Sequence, residues 1–600
     1  MHKIQERKDI PNDMKWDLSV LYRSNDEWMA DFGKLDGLLN EFLAFKGKLG
    51  ESATLLFDAL KKDDELDRLS EKIYTYAHLK SDEDTGNSRN LARIERVESK
   101  LSEIEGEISW FEPELVALPE EVFDKYLAAP ELAFYKRTLE DVKRTKSHTL
   151  SAPEERVLGV LSDTLSTPYK TFSLFSNADL KFPVLKDSAG EKKELTHGNY
   201  IKFLEEPDRK VRKSAFSAMY DTYEKYRNTL AATLSGTVKS HAVNAKLRKF
   251  PSALAASLDG DNIPLDVYDN LIKTVRSKLP ALFDYFELRA RSLGLKKLDM
   301  FDMYNPLVPE SNLEISWADA CKWVFEACKP MGDEYCSVLR TAFKSRWIDV
   351  MENKGKKSGA YSSGCYDSFP YVLMNYNGTL NSVFTLAHEL GHSMHSWYSN
   401  HHQDFHYADY SIFVAEVAST TNEMLLYEYL LKKNKDKSFR NYLMNHLADE
   451  IRGTVYRQTM FAEFEKLIHE KTEASEPLTA DVLCENYLKL HSEYHGGFVK
   501  ADKRVAMEWA RIPHFYYDFY VYKYATGFSA AAAFSKSIIG GSAEKLHAYL
   551  GFLKAGDSMD SLDVLRHAGV DLSKPAPVKA ALDKFAETVE QLSEGLSIAR

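Results

Sequence analysis

Five cysteines in 600 residues (Cys321, Cys328, Cys336, Cys365 and Cys484) are few, and odd in number. A disulfide framework is therefore not expected, no Cys-x-x-Cys pair offers a thiolate metal site, and a reducing cytoplasm is the expected location. Long apolar runs are missing too. No stretch approaches the roughly 18 apolar residues of a membrane span, and the alanine-rich run from Ser529 to Phe534 soon meets Lys536. The opening stretch, Met1 to Tyr22, is polar and has no apolar centre, so no signal peptide is expected. Basic excess is absent: 78 Lys and Arg face 90 Asp and Glu, for a net charge of −12, and no basic run carries interleaved aromatics. Nucleic acid and membrane are accordingly not expected partners. Internal repeats and low-complexity linkers are also lacking.

The composition that remains, 44% apolar and 28% charged, is that of a folded, soluble chain. Its length is enough for roughly two to four structural units of about 150 residues each. The 33 tyrosines and 32 phenylalanines make it aromatic-rich, which suits packing between helices or an apolar peptide cleft. Leu91, Ile94, Val97, Leu101, Ile104, Ile108 and Phe111 step by threes and fours, as one face of a long helix must. Ser24 with Glu27, Ser151 with Glu154 and Ser316 with Asp319 each read as a hydroxyl cap followed by a carboxylate that favours a helix start. Strand signals are sparse. Residues 180–196 predict a hairpin turning at Asp187-Ser188-Ala189-Gly190, and residues 370–376 a short strand closed by Asn377-Gly378. The fold expected is mainly α, with a small β-element beside the helix described next. A loop near Glu205-Glu206-Pro207 predicts a helical N-terminal lobe over 1–204 and a catalytic lobe over 205–600.

Residues 388–392 read His-Glu-Leu-Gly-His. On a helix, His388 and His392 lie one turn apart on one face and can share a metal ion, while Glu389 stands beside them where a general base is needed. Val383, Leu386, Leu390, Met394 and Trp397 supply an apolar face for that helix, and Asn377-Gly378-Thr379 a turn before it. The competing reading is a surface helix with two hydrogen-bonded histidines. A catalytic zinc needs a third protein ligand. The downstream candidates are His395, His401, His402, Asp404, His406, Asp409 and Glu416. His395 is on the same helix and cannot fold back to the metal; the extended three-histidine pattern fails at His395 and Tyr398. Glu416 sits in the helical stretch Phe-Val-Ala-Glu-Val-Ala-Ser-Thr, and a loop between antiparallel helices would return it to the metal. Glu423, seven residues further on, is placed to orient a ligand imidazole, with a surface ion pair as its alternative role. The histidines of 401–406 read as loop residues.

These stretches carry a resemblance. His-Glu-Leu-Gly-His at 388–392, Glu-Val-Ala-Ser-Thr-Thr-Asn-Glu at 416–423, Ile-Pro-His-Phe-Tyr-Tyr-Asp-Phe-Tyr-Val-Tyr-Lys-Tyr-Ala-Thr-Gly at 512–527 and Trp-Asp-Leu-Ser-Val-Leu-Tyr at 16–22 together resemble the oligoendopeptidase F branch of the thimet-oligopeptidase-like zinc metallopeptidases. The resemblance reaches from residue 16 to at least 534. It implies a two-lobed helical shell around a deep channel with one zinc on its floor, and endopeptidase action on oligopeptides with poor access for folded proteins. It also implies help at the transition state from His and Tyr residues of the third motif, here His514, Tyr517 and Tyr524 with Tyr520 nearby; which tyrosine does which task stays open. Helical spacing would put the first three roughly on one face, with Phe515, Phe519 and Phe528 packing the core.

The expected chemistry follows. Zinc held by two neutral imidazoles and a carboxylate activates water, and Glu389 takes and returns its proton. The strand at 371–376, through Tyr371, Leu373 and Asn375, is expected to pair with the substrate backbone. The alternatives are a metallo-exopeptidase with the same motif and a non-catalytic peptide-binding zinc protein; Glu389 counts against the latter, since a structural site needs no base. No obligate protein partner is implied.

Overall fold

The computed structural model describes residues 4–308 and 314–597. The chain divides into two compact units, each gathered from three stretches. The first comprises Met1–Ala152, Leu313–Leu430 and Phe534–Gly569; the second comprises Pro153–Asn312, Leu431–Ala533 and Val570–Arg600. Helices dominate both. Those that bear on the site are α1 (Ala53–Glu83), α2 (Ser88–Ile108), α3 (Arg227–Leu247), α4 (Leu380–His402), α5 (Ile412–Lys433), α6 (Gln458–Glu473) and α7 (Tyr522–Ile539). The strands are β1 (Val184–Lys186), β2 (Lys192–Glu194), β3 (Leu298–Asp299), β4 (Ile348–Met351), β5 (Tyr361–Ser363), β6 (Tyr371–Tyr376) and β7 (Val499–Lys500). Among the described residues no helix is long and apolar enough to cross a membrane.

Local sequence accounts for the boundaries. Ser24 accepts the Glu27 amide and Ser316 the Asp319 amide, as their spacing predicts. The α2 periodicity holds for Ile94, Val97 and Ile104, which are buried, but Leu91 is exposed and the helix stops at Ile108, so Phe111 begins another element. The 180–196 hairpin forms with Val184 opposite Glu194; Asp187 Oδ1 accepts the Ala189 and Glu191 amides, and Gly190 takes φ +85° to close the turn.

In the first unit, β4, β6 and β5 form one sheet in that order, with β6 parallel to β4 and antiparallel to β5. The 16–22 motif anchors this sheet. Trp16 meets the Tyr371 ring edge-on at 6.1 Å, and Tyr371 Oη donates to the Asp17 carbonyl at 2.7 Å. Trp16, Leu18, Ile73, Leu79, Val97, Tyr371 and Leu373 belong to one buried cluster, which fixes the sheet against α1 and α2. Asp349 on β4 is buried between Arg7 (2.6 Å) and Lys356 (2.7 Å), so neither cation nor carboxylate is left uncompensated.

This arrangement corrects the substrate-strand expectation. β6 is the central strand: Val372 and Leu373 already pair with Ile348 and Asp349 on one side and with Ser362 and Tyr361 on the other. Tyr371 and Leu373 are fully buried, and Asn375 Nδ2 is committed to the Lys357 and Gly359 carbonyls. The edge strands of this sheet are β4 and β5.

Candidate metal centre

β6 ends in the turn expected at Asn377-Gly378-Thr379. Gly378 takes φ +77°, and Asn377 Oδ1 accepts from Thr379 Oγ1 at 2.7 Å and Ser382 Oγ at 2.6 Å. Thr379 then caps α4 by accepting the Ser382 amide. The apolar face of α4 is Val383, Leu386, Leu390 and Met394, all fully buried. The fifth position differs from expectation: Tyr398 is buried, while Trp397 is half-buried and stacks on His401 at 4.0 Å.

α4 meets α5 through Gly391. A Cβ at that position would run into Ser419 Cα and stand 2.7 Å from the Ala418 carbonyl oxygen, so only hydrogen fits. Asn422 Nδ2 bonds the Ala387 carbonyl at 3.3 Å and Asn422 Oδ1 accepts from Tyr335 Oη at 2.9 Å, which pins the crossing. That close approach brings Glu416 to the two histidines. Sequence reasoning missed this role for Gly391, although a glycine inside a strong helical pattern, unfavourable by about 1 kcal/mol relative to alanine, is the signal of a close contact. Gly391→Ala is expected to lower stability by about 1–3 kcal/mol through overpacking and, by pushing Glu416 away, to weaken zinc retention at least about tenfold, a loss on the scale of a missing outer partner. Melting temperature and metal content measured on the same sample check it; wild-type values for both would contradict the packing argument.

Three donor atoms converge. His388 Nε2 and His392 Nε2 are 3.1 Å apart, and Glu416 Oε2 lies 3.3 Å from the first and 3.5 Å from the second. The imidazole planes cross at 79°. A tetrahedral ion with bonds of about 2.0–2.1 Å needs ligand atoms roughly 3.3 Å apart, so the donor set fits zinc in both chemistry and spacing. Glu423 Oε1 accepts from His388 Nδ1 at 2.6 Å, which holds the tautomer that leaves Nε2 facing the centre. Glu423→Gln is expected to keep the fold and weaken zinc affinity by roughly 10–100-fold; unchanged affinity in a competition titration would return Glu423 to a surface ion pair.

Electrostatics match a cation at the centre. Burial pushes the Glu416 carboxyl up, but the two imidazoles more than reverse it and hold it well below the usual range. Burial lowers His388, yet Glu416 and Glu423 outweigh it and raise its proton affinity. Glu389 is only 7% exposed, and burial, aided by Glu416 and Glu423 and opposed by the two imidazoles, lifts its carboxyl above the usual range.

The other candidates lie elsewhere. His395 is fully buried against Tyr410 at 3.7 Å and Phe552 at 4.9 Å, and burial lowers it to about 3. His401 and His402 bond backbone carbonyls of their own helix, and His406 is held by Asp64 at 2.7 Å and Thr138 at 2.7 Å.

In the second unit, His514 Nε2 and Tyr524 Oη are 3.2 Å apart, and the His514 ring lies 5.5 Å from Tyr517 and 6.2 Å from Tyr520. They are not on one helix face, as the spacing suggested. A 3₁₀ turn ends at Tyr516, Asp518 and Phe519 take positive φ, and α7 starts only at Tyr522, so the chain doubles back. Tyr517 is 41% exposed, with its hydroxyl 3.2 Å from that of Tyr169. Phe515, Phe519 and Phe528 are core residues, as expected.

Comparison with known proteins identifies the family. Residues 202–584 match the model of Peptidase family M3, and residues 114–182 that of Oligopeptidase F. The chain is 43% identical over 594 residues to the oligopeptidase PepF of Bacillus subtilis, covering 99% of this chain and 89% of that one. Its fold superposes on the crystal structure of a putative peptidase from Chlamydophila abortus with a TM-score of 0.94 at 36% identity, covering 99% of this chain and 100% of that one. Against the oligoendopeptidase-F structure from Enterococcus faecium the TM-score is 0.74 at 37% identity, over 96% and 100% of the two chains. The chain belongs to peptidase family M3, in its oligopeptidase F branch, and is a peptidase.

Proposed function

We propose that the chain is a zinc-dependent endopeptidase that cleaves internal bonds of oligopeptides, with Glu389 as general base. The observation that carries it is the convergence of His388 Nε2, His392 Nε2 and Glu416 Oε2 beside the buried Glu389 carboxyl. The printed names of the relatives, oligopeptidase and oligoendopeptidase, support the substrate class. His388, His392 and Glu416 would hold one zinc, which when bound supplies Lewis acidity to the scissile carbonyl and to the attacking water. Glu389 accepts the proton of that water and passes it to the leaving amine; a carboxylate whose proton affinity burial raises takes that proton more readily than an ordinary one. The edge strand β5 is the proposed place for the substrate backbone, which would add as a strand and give affinity with little sequence preference. An added strand must be extended, so folded proteins are poor substrates under this reading. The five cysteines, all unpaired, suit the cytoplasmic setting that belongs to the same proposal.

His514, Tyr517 and Tyr524 are proposed to stabilise the oxyanion; the support is the third motif and the bond between His514 and Tyr524. At least one of Tyr517→Phe and Tyr524→Phe is expected to lose about a hundredfold or more in turnover with an unchanged melting temperature. If both keep wild-type turnover, His514 alone retains the role.

An internally quenched peptide blocked at both ends separates the readings. An endopeptidase cleaves it, an exopeptidase requires a free end, and a binding protein leaves it intact. Cleavage that depends on a free terminus would overturn the endopeptidase assignment.

A further inference from the structure

The turn that folds Tyr517 and Tyr524 back onto His514 is strained. Asp518 and Phe519 are consecutive non-glycine residues in the left-handed region, with φ of 48° and 59°. Such residues are unfavourable by roughly 1–3 kcal/mol each and persist only where their surroundings impose them. Here the surroundings are specific. Glu465 Oε1 on α6 accepts the Phe519 amide at 2.7 Å. Ser257 Oγ donates to the Asp518 carbonyl at 2.6 Å. The His469 ring packs on Phe519 at 4.3 Å, and His241 Nδ1 on α3 lies 3.2 Å from Asp518 Oδ1.

Glu465 is the costly member. It is fully buried, and among the described residues its second oxygen has no hydrogen-bond partner. Burial raises its carboxyl well above the usual range. A residue kept only for stability is better served there by an apolar side chain of similar volume.

His241, His469 and Asp518 also bring three possible ligand atoms together. Their geometry is that of a hydrogen bond rather than a metal site. The two rings are coplanar within 4°, and a centroid separation of 5.4 Å with nitrogens 3.1 Å apart sets them head to head, so the lone pairs oppose each other instead of converging. His469 Nδ1 donates to the Glu465 carbonyl at 2.8 Å, which leaves Nε2 to accept a proton shared from His241.

We infer that Glu465 is a positioning residue: through the Phe519 amide it holds the Asp518–Phe519 turn in its strained form and so sets His514, Tyr517 and Tyr524 in their working arrangement. This rests on the proposed transition-state role of those three residues.

The test compares Glu465→Leu with Glu465→Gln in the zinc-loaded full-length protein. Leucine removes the acceptor and keeps the volume; glutamine keeps an acceptor oxygen. Glu465→Leu should retain or raise the melting temperature and keep KM within about threefold, yet lose up to about a hundredfold in kcat, the scale of a misplacement near 1 Å. Glu465→Gln should restore kcat to near wild type. A crystal structure of Glu465→Leu supplies the second readout and should show Asp518 and Phe519 released to negative φ. An unchanged turn with unchanged kcat overturns the clamp. A released turn with unchanged kcat overturns the catalytic role of the turn, and identifies the reading of His514, Tyr517 and Tyr524 as the part that failed.

Discussion

Glu389→Gln is expected to yield a folded, zinc-loaded protein whose turnover of a blocked peptide is lower by roughly a hundred- to ten-thousandfold. The amide matches the carboxylate in shape but cannot take a proton. Glu389 is not among the three converging donors, so metal content should not change. Its side chain is buried on the α4 face that carries the ligands, and burial raises its proton affinity, as a base must have. The variant therefore separates proton transfer from metal binding. Near-normal turnover in a zinc-loaded sample would remove Glu389 from the mechanism; loss of the metal would make it a ligand.

Glu416→Gln should act at the earlier step. Its carboxylate is the one anionic donor among the three converging groups, and the two imidazoles hold it ionised. Replacing it with a neutral amide should weaken zinc retention by more than the roughly 10–100-fold attached to an outer partner such as Glu423. Activity should fall in proportion to the metal lost and return in part at high zinc. Full retention of zinc by this variant would sink the ligand assignment and turn attention to Asp404 or Asp409.

Much of the site is written in local spacing. Two histidines four residues apart on a helix share a face whatever surrounds them, and a carboxylate on the next helix can reach them only if the helices run antiparallel. That is why Glu416 and Glu423 are legible from sequence and are found within 3.3 Å and 2.6 Å of His388. The helix caps at Ser24 and Ser316 and the hairpin at Asp187–Gly190 are legible for the same reason: each is decided by neighbours along the chain.

What depends on distant partners is not legible. The apolar run at 371–376 fits an edge strand and a central strand equally well; only Ile348–Met351 and Tyr361–Ser363, pairing on either side, decide that it is central. The spacing of His514, Tyr517 and Tyr524 suits a helix face, but the Glu465 contact, 54 residues away, imposes a turn that sequence periodicity cannot foresee. Linkers and composition mark positions along a chain and carry no signal for which stretches return to one another, so units gathered from three stretches each leave no trace in them.

The most direct measurement is anomalous scattering at the zinc edge from crystals of the metal-loaded protein. The account predicts one strong peak per chain, bonded at about 2.0–2.2 Å to His388 Nε2, His392 Nε2 and Glu416 Oε2, with Glu423 against His388 Nδ1 and no metal between His241 and His469. A peak bonded to Asp404 or Asp409 in place of Glu416, or no peak between the two α4 histidines, would contradict it.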